Sequence, residues 1–84
     1  MPVGTQFTGT VAANGARRWF THGWPAARHV LWTVVPATPR AGAPQVEWDV
    51  AVERASPAAV TYWITVRNLT ASAVDVEGRY AAFD

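Results

Sequence analysis

Residues 45–54 read QVEWDVAVER, and this stretch decides the fold class. Apolar and charged side chains alternate along it. One side of the extended chain carries Val46, Trp48, Val50 and Val52, and the other side carries Glu47, Asp49 and Glu53. Because successive side chains of a strand point to opposite faces, the pattern predicts a strand with one buried face and one solvated face.

Two more strands are predicted downstream. The first follows the Ser56-Pro57 turn and spans residues 60–68. Its core face carries Tyr62, Ile64 and Val66, and its outer face carries Thr61, Trp63, Thr65 and Arg67. A polar turn at 69–73 leads to the last strand. There Val74, Val76 and Tyr80 face inward, and Asp75, Glu77 and Arg79 face outward.

The spacing predicts a ladder of charges on the outer face. Opposed residues of an antiparallel pair share a face. If Glu53 opposes Thr61, then Glu47 lies beside Arg67. A hairpin between the last two strands would bring Asp75 to the other side of Arg67.

That last hairpin also predicts a contact between two residues of interest. If Asn68 opposes Val74, Arg79 lies over Trp63 as a cation–π pair. Residues 68–70 form the glycosylation sequon Asn-Leu-Thr in a predicted turn, where we interpret Asn68 as a turn former.

Upstream, the Asn14-Gly15 dipeptide predicts a hairpin, because a type I′ turn needs positive φ at both central residues. Two registers stay open, with Val11 opposite either Arg18 or Trp19. The three upstream strands are predicted at 6–12, 17–22 and 29–35.

Three further features of this half are predicted. Gly23-Trp24-Pro25 is expected to end the second strand. The third strand has apolar residues on both faces, which indicates a central strand or one covered by a partner. The loop at 36–44 is the longest irregular stretch and a candidate functional loop.

These signals predict an all-β fold: one domain over residues 1–84, a small antiparallel β-sandwich of about six strands or a barrel-like closure of them. A core of 84 residues is marginal by itself. The chain has no Cys and only two His, so oligomerisation and five Trp are the expected supports.

Composition argues against several classes of function. The net charge is +1, and the basic residues are all Arg, so a nucleic-acid partner is not expected. No apolar run reaches the length of a membrane span. Met1–Thr5 lacks the basic start of a signal peptide, so we expect a soluble chain, either cytoplasmic or secreted.

The sequence contains no arrangement of residues that is typical of a catalytic site. Ser56 and Ser72 lie in predicted turns, and His22 and His29 lie in different elements without a metal-binding spacing. The carboxylates of the fourth strand fit a solvated face. We predict a non-catalytic protein with no cofactor and no metal.

The aromatic residues are the most informative side chains. Trp63 lies on a polar face, which indicates a ligand site or a subunit contact. Aromatic, Arg and His side chains also cluster at residues 17–24, a combination that suits sugar recognition but also plain packing. The predicted ligand-binding residues are Trp19, His22, Trp24, Trp63 and Arg79.

The leading hypothesis is a lectin-like carbohydrate-binding protein, multivalent through oligomerisation. One alternative is a structural assembly module whose exposed Trp residues form subunit contacts. Another is a protein that binds membrane headgroups. The partners expected are a glycan or other small polar ligand and further copies of the chain.

Overall fold

The structure, a computed structural model, describes residues 2–84; Met1, the first residue of the predicted domain, lies outside this range. Six strands form, close to the predicted positions. They are β1 (Val3–Val11), β2 (Ala16–Pro25), β3 (His29–Pro36), β4 (Val46–Glu53), β5 (Ala59–Asn68) and β6 (Val74–Phe83).

The strands form two three-stranded antiparallel sheets that pack face to face. Sheet A has the order β1-β6-β3, and sheet B has the order β2-β5-β4. The predicted all-β sandwich is therefore confirmed, and the two sheets stay separate rather than closing into one. Residues 2–84 include no helix with the length and apolar character that a membrane span requires.

The pairing of β4 with β5 follows the predicted register, with Glu47 opposite Arg67 and Glu53 opposite Thr61. The other two predicted hairpins are wrong. β1 and β2 lie in different sheets, as do β5 and β6, so the chain crosses between sheets at both turns. Of the two alternatives for β3, the central position is wrong, because β3 is an edge strand of sheet A. Cover by a partner stays a prediction.

The two misassigned turns are bonded to each other, which explains why neither closes a hairpin. The amide of Asn14 donates to the carbonyl of Thr70 over 2.9 Å, and the amide of Asn68 donates to the carbonyl of Gly15 over 2.8 Å. Asn14 adopts a positive φ of 55°, but Gly15 does not, so the type I′ turn is absent.

The side chain of Asn68 completes this junction. Its amide nitrogen reaches the carbonyls of Val11, Ala12 and Ser72, and its oxygen accepts from the amide of Thr70. Only 3% of Asn68 is exposed. Asn68 does form the turn, as predicted, through the bond that its oxygen accepts from Thr70, and its side chain is in addition a buried link between the sheets.

The core changes character along the sandwich. Near Asn68 it is aliphatic, and near the other end it is aromatic. Phe7 and Trp19 stack in the middle, and Gly78 leaves space for Phe7, because a Cβ there would overlap its ring. The aliphatic residues are Val11, Val34, Ile64, Val66, Val74 and Val76, and the aromatic ones are Trp24, Trp32, Tyr62 and Tyr80.

Candidate functional site

The five predicted ligand-binding residues do not form one site. Trp19 and Trp24 lie between the sheets, His22 and Trp63 lie on the outer face of sheet B, and Arg79 lies on the outer face of sheet A. The expected contact between Arg79 and Trp63 is wrong, because β5 and β6 belong to different sheets.

The two inward tryptophans make packing contacts. The ring of Trp19 stacks on Phe7 with centroids 4.5 Å apart, and the guanidinium of Arg17 lies 4.6 Å from the Trp19 centroid. Trp24 donates its indole N–H to the hydroxyl of Thr21 over 3.1 Å. Trp24 also meets Tyr80 edge-on, so its role in this structure is to close the aromatic end of the core.

A different cluster assembles on the outer face of sheet B, and we call it the aromatic shelf: Arg18, Phe20, His22 and Trp63. Phe20 of β2 lies directly opposite Trp63 of β5. Their rings stack with centroids 5.0 Å apart and an interplanar angle of 28°. The guanidinium of Arg18 lies 4.7 Å from the Trp63 centroid, and His22 stacks on Phe20 at 6.2 Å.

Strand parity explains why these side chains meet. Arg18, Phe20 and His22 are spaced two residues apart on β2, so they point to the same side, away from Trp19. Beyond His22 the strand bulges, and Gly23 with a φ of 79° supplies the backbone conformation. The bulge lets β2 continue to Pro25, where the sequence predicted a break.

The shelf is open to solvent. Phe20 is 60% exposed, although large apolar side chains are usually covered. β2 is an edge strand of sheet B, so its free side has no neighbouring strand. A ligand can therefore approach Phe20 both from above and from the side.

The indole of Trp63 is held in place by Glu53 of β4, the strand on the other side of β5 from β2. Its N–H donates to a carboxylate oxygen of Glu53 over 3.1 Å. The residue opposite Trp63 on β4 is Ala51, which is too small to cover the indole. The ring of Trp63 is thus held by the hydrogen bond to Glu53 and by its contacts with Phe20 and Arg18.

The remaining charged side chains of this face are paired with each other. Arg67 contacts Glu47 at 2.9 Å and Asp49 at 2.7 Å; the predicted third partner, Asp75, lies on sheet A. The hydrogen bond and charge of Arg67 lower the pKa of Asp49, and the two carboxylates raise the pKa of Arg67. Arg18, His22 and Glu53 are therefore the polar groups left around the shelf.

Arg79 lies on the outer face of sheet A, away from the aromatic shelf. Its guanidinium lies 3.4 Å from a carboxylate oxygen of Glu77, and Asp75 accepts from the hydroxyl of Thr10. No ring of the shelf lies on this face. Within residues 2–84, no three His, Asp or Glu side chains group in a way that would hold a metal ion.

The sequence interpretation missed Phe20, Arg18 and Glu53. The alternation along β2 contained the signal, since it places Phe20 and His22 together and Trp19 on the opposite face. Glu53 was detectable only through its pairing with β5. No known protein family, curated protein or solved structure matches the chain, so the case for this site rests on its geometry.

Proposed function

We propose that this protein is a non-catalytic, lectin-like carbohydrate-binding protein and that the sugar lies on the aromatic shelf. The observation that carries the proposal is the stack of Phe20, which is 60% exposed, on the half-buried ring of Trp63, with polar groups around the pair. Aromatic faces bind the C–H side of a pyranose through apolar contact, and rings that are already fixed lose little entropy on binding.

The polar groups at the rim supply complementary hydrogen-bonding chemistry. A sugar hydroxyl both donates and accepts. The guanidinium of Arg18 only donates, the carboxylate of Glu53 only accepts, and neutral His22 can do either. One oxygen of Glu53 accepts from Trp63, which leaves its second oxygen for a ligand.

The proposal retains His22 and Trp63 from the sequence-based set and adds Phe20, Arg18 and Glu53. Trp19 and Trp24 would act indirectly, by supporting the sheet beneath. A flat shelf buries less of a ligand than a deep pocket, so we expect weak single-site affinity and a benefit from several sites in one assembly.

An assembly function is the second candidate. It is favoured by Leu31 and Val3, which are exposed on the opposite face of the sandwich and play no part in the shelf. The two functions use different surfaces, so they are compatible.

A glycan-array screen of the labelled protein tests the proposal. We expect specific hits, and titration calorimetry with a soluble monovalent hit should show binding lost in Phe20→Ala and Trp63→Ala. Phe83→Ala, an aromatic truncation on the other outer face, is the matched control and should bind normally.

Two results would contradict the proposal. One is a blank array at high protein concentration, whether or not the protein sediments with anionic liposomes. The other is full sugar affinity in both folded shelf variants.

A further inference from the structure

The outer face of sheet A is divided into a polar half and an apolar half. In the apolar half, Val3, Ala81 and Leu31 are direct cross-strand neighbours on β1, β6 and β3. Val3 is 67% exposed and Leu31 is 60% exposed. Phe83 and His29 extend the apolar half by one row, with ring centroids 5.3 Å apart.

The polar half has a different composition. Moving along β6 away from Ala81, the outward residues are Arg79, Glu77 and Asp75, with Thr5, Thr8 and Thr10 beside them on β1. Apart from Val35 on β3, which lies beside Glu77, the apolar residues are thus gathered at one end of the face and span all three strands. A contiguous apolar patch of this kind marks an interaction surface.

We propose that a second copy of this chain covers this patch, forming a symmetric dimer through the outer faces of the two A sheets. The two-fold axis lies across the strands above Ala81. Each strand then faces its own counterpart, antiparallel, and Leu31 meets Leu31 of the partner subunit. A two-fold contact requires a self-complementary patch, which this row provides.

A face-to-face dimer has two possible two-fold axes, one across the strands and one along them. The positions of the charged residues favour the axis across the strands. With the axis across the strands, Arg79 lies two residues from Ala81 on one side, and Phe83 lies two residues away on the other side, on the same outer face. Arg79 of each copy therefore faces the aromatic ring of the other. With the axis along the strands, Arg79 would face Arg79 of the partner subunit, and like charges repel.

Arg79 is free to make this contact. Its side chain is 46% exposed, with Glu77 at 3.4 Å. This is a long ion pair, so exchanging it for the ring of the partner costs little.

The size of the patch predicts a weak dimer. The molecule measures 42 × 23 × 17 Å, and the apolar half covers part of one broad face. Two copies would bury on the order of 1,000 Å² in total, which is at the lower limit for specific interfaces. We therefore expect dissociation in the micromolar range.

This dimer would leave both aromatic shelves exposed, because each lies on the face of sheet B away from the contact. If the shelf binds sugar, as proposed above, the dimer is bivalent, with its two sites facing opposite directions. The dimer itself does not depend on that function.

Sedimentation velocity over a range of protein concentrations tests the dimer. Leu31→Glu should raise the dissociation constant by about a hundredfold or more, since each dimer would then bury two carboxylates facing each other. Leu69→Glu makes the same change at an exposed Leu in the turn between β5 and β6 and should dimerise normally. A protein that stays monomeric at every concentration, or a Leu31→Glu dimer of unchanged affinity, would overturn the proposal.

A mixture of oppositely charged variants tests the orientation. Leu31→Glu mixed with Leu31→Arg should form a heterodimer more tightly than either variant forms a homodimer, because the axis across the strands places the two positions opposite each other, whereas the axis along the strands places Leu31 opposite Val3. A mixture that associates no more tightly than the single variants, with both folds intact by circular dichroism, would overturn the axis proposed here. Monovalent sugar titration of Leu31→Glu reports on the shelf separately, so the two proposals can fail independently.

Discussion

Four tryptophans of this chain lie inside the sandwich and one lies outside. Trp19, Trp24, Trp32 and Trp48 point between the sheets and contact other core residues. Trp63 points outward, with Phe20 on one side and Glu53 on the other. Since β5 alternates strictly, a one-residue difference in position decides whether an indole supports the fold or lies on a surface.

The comparison shows that tryptophan content alone says little about function. An inward Trp stabilises the protein by burying its ring, and its loss leaves a cavity. An outward Trp contributes less to stability, so the reason for its presence lies in what contacts it. Truncation of an inward Trp should therefore lower stability more than sugar binding, and truncation of the outward Trp63 should lower sugar binding more than stability.

The largest effect is expected for Trp24→Ala. The substitution removes the ring that contacts Trp32, Tyr62 and Tyr80, and should lower the free energy of unfolding by about 3 kcal/mol. Trp63→Ala should lower it by less than about 1 kcal/mol. Urea denaturation followed by circular dichroism measures both. Equal losses would contradict the division between inner and outer rings.

Asn68→Ala should come next, at about 2 kcal/mol, because it leaves buried carbonyls of the two crossing turns without a donor. Gln45→Ala, which removes an amide from an exposed position near the same turn, is the control and should cost little. Thermal unfolding compares the two variants. A stable Asn68→Ala protein would mean that the crossing is held by the backbone bonds alone.

A smaller effect is expected at the rim of the shelf. Glu53→Ala frees the indole of Trp63 and should weaken sugar binding by roughly tenfold, the effect of one charged hydrogen bond. Glu53→Gln keeps an acceptor for the indole and should lose less. Calorimetric titration of both variants distinguishes positioning of Trp63 from direct charge. Equal affinity in Glu53→Ala and the parent would remove Glu53 from the site.

The smallest effect concerns acid stability. The pKa of Asp49 is lowered by Arg67, so this carboxylate stabilises the fold above its unfolded pKa of about 4, and the contribution is lost as the pH falls through the lower folded value. Asp49→Asn should therefore show a shallower loss of Tm below pH 4 than the parent. Asp84→Asn, at an exposed terminus, should follow the parent curve. If the Tm of Asp49→Asn falls below pH 4 as steeply as that of the parent, this ion pair does not stabilise the fold.

The sequence predicted the strands and their faces well, because both are local properties. The alternation around Trp48 and the opposition of Glu47 and Arg67 were read from spacing and are present. Which strands pair with each other was harder to predict from the sequence. Asn14 and Thr70 are far apart in the chain, yet their bond helps turn two apparent hairpins into crossings between sheets. No local pattern contains that contact.

The candidate site was half predicted for the same reason. Trp63 was placed on the outer face from the alternation of β5. Its neighbours came from β2 and β4, and finding Phe20 required knowing that β2 pairs with β5. The proposed role of Arg79 depended on a hairpin that does not form. Side chains within one strand can be assigned from sequence, whereas contacts between strands depend on topology.

The indole N–H signals of the tryptophans report whether Trp63 contacts the sugar. The chain has five Trp, so its nitrogen–proton correlation spectrum should contain five indole signals, each assignable by single Trp→Phe substitution. On titration with the best monovalent sugar from the array, our account predicts that the Trp63 signal moves while the four inward signals stay in place. A saturating titration that moves an inward indole and leaves Trp63 unmoved would contradict it.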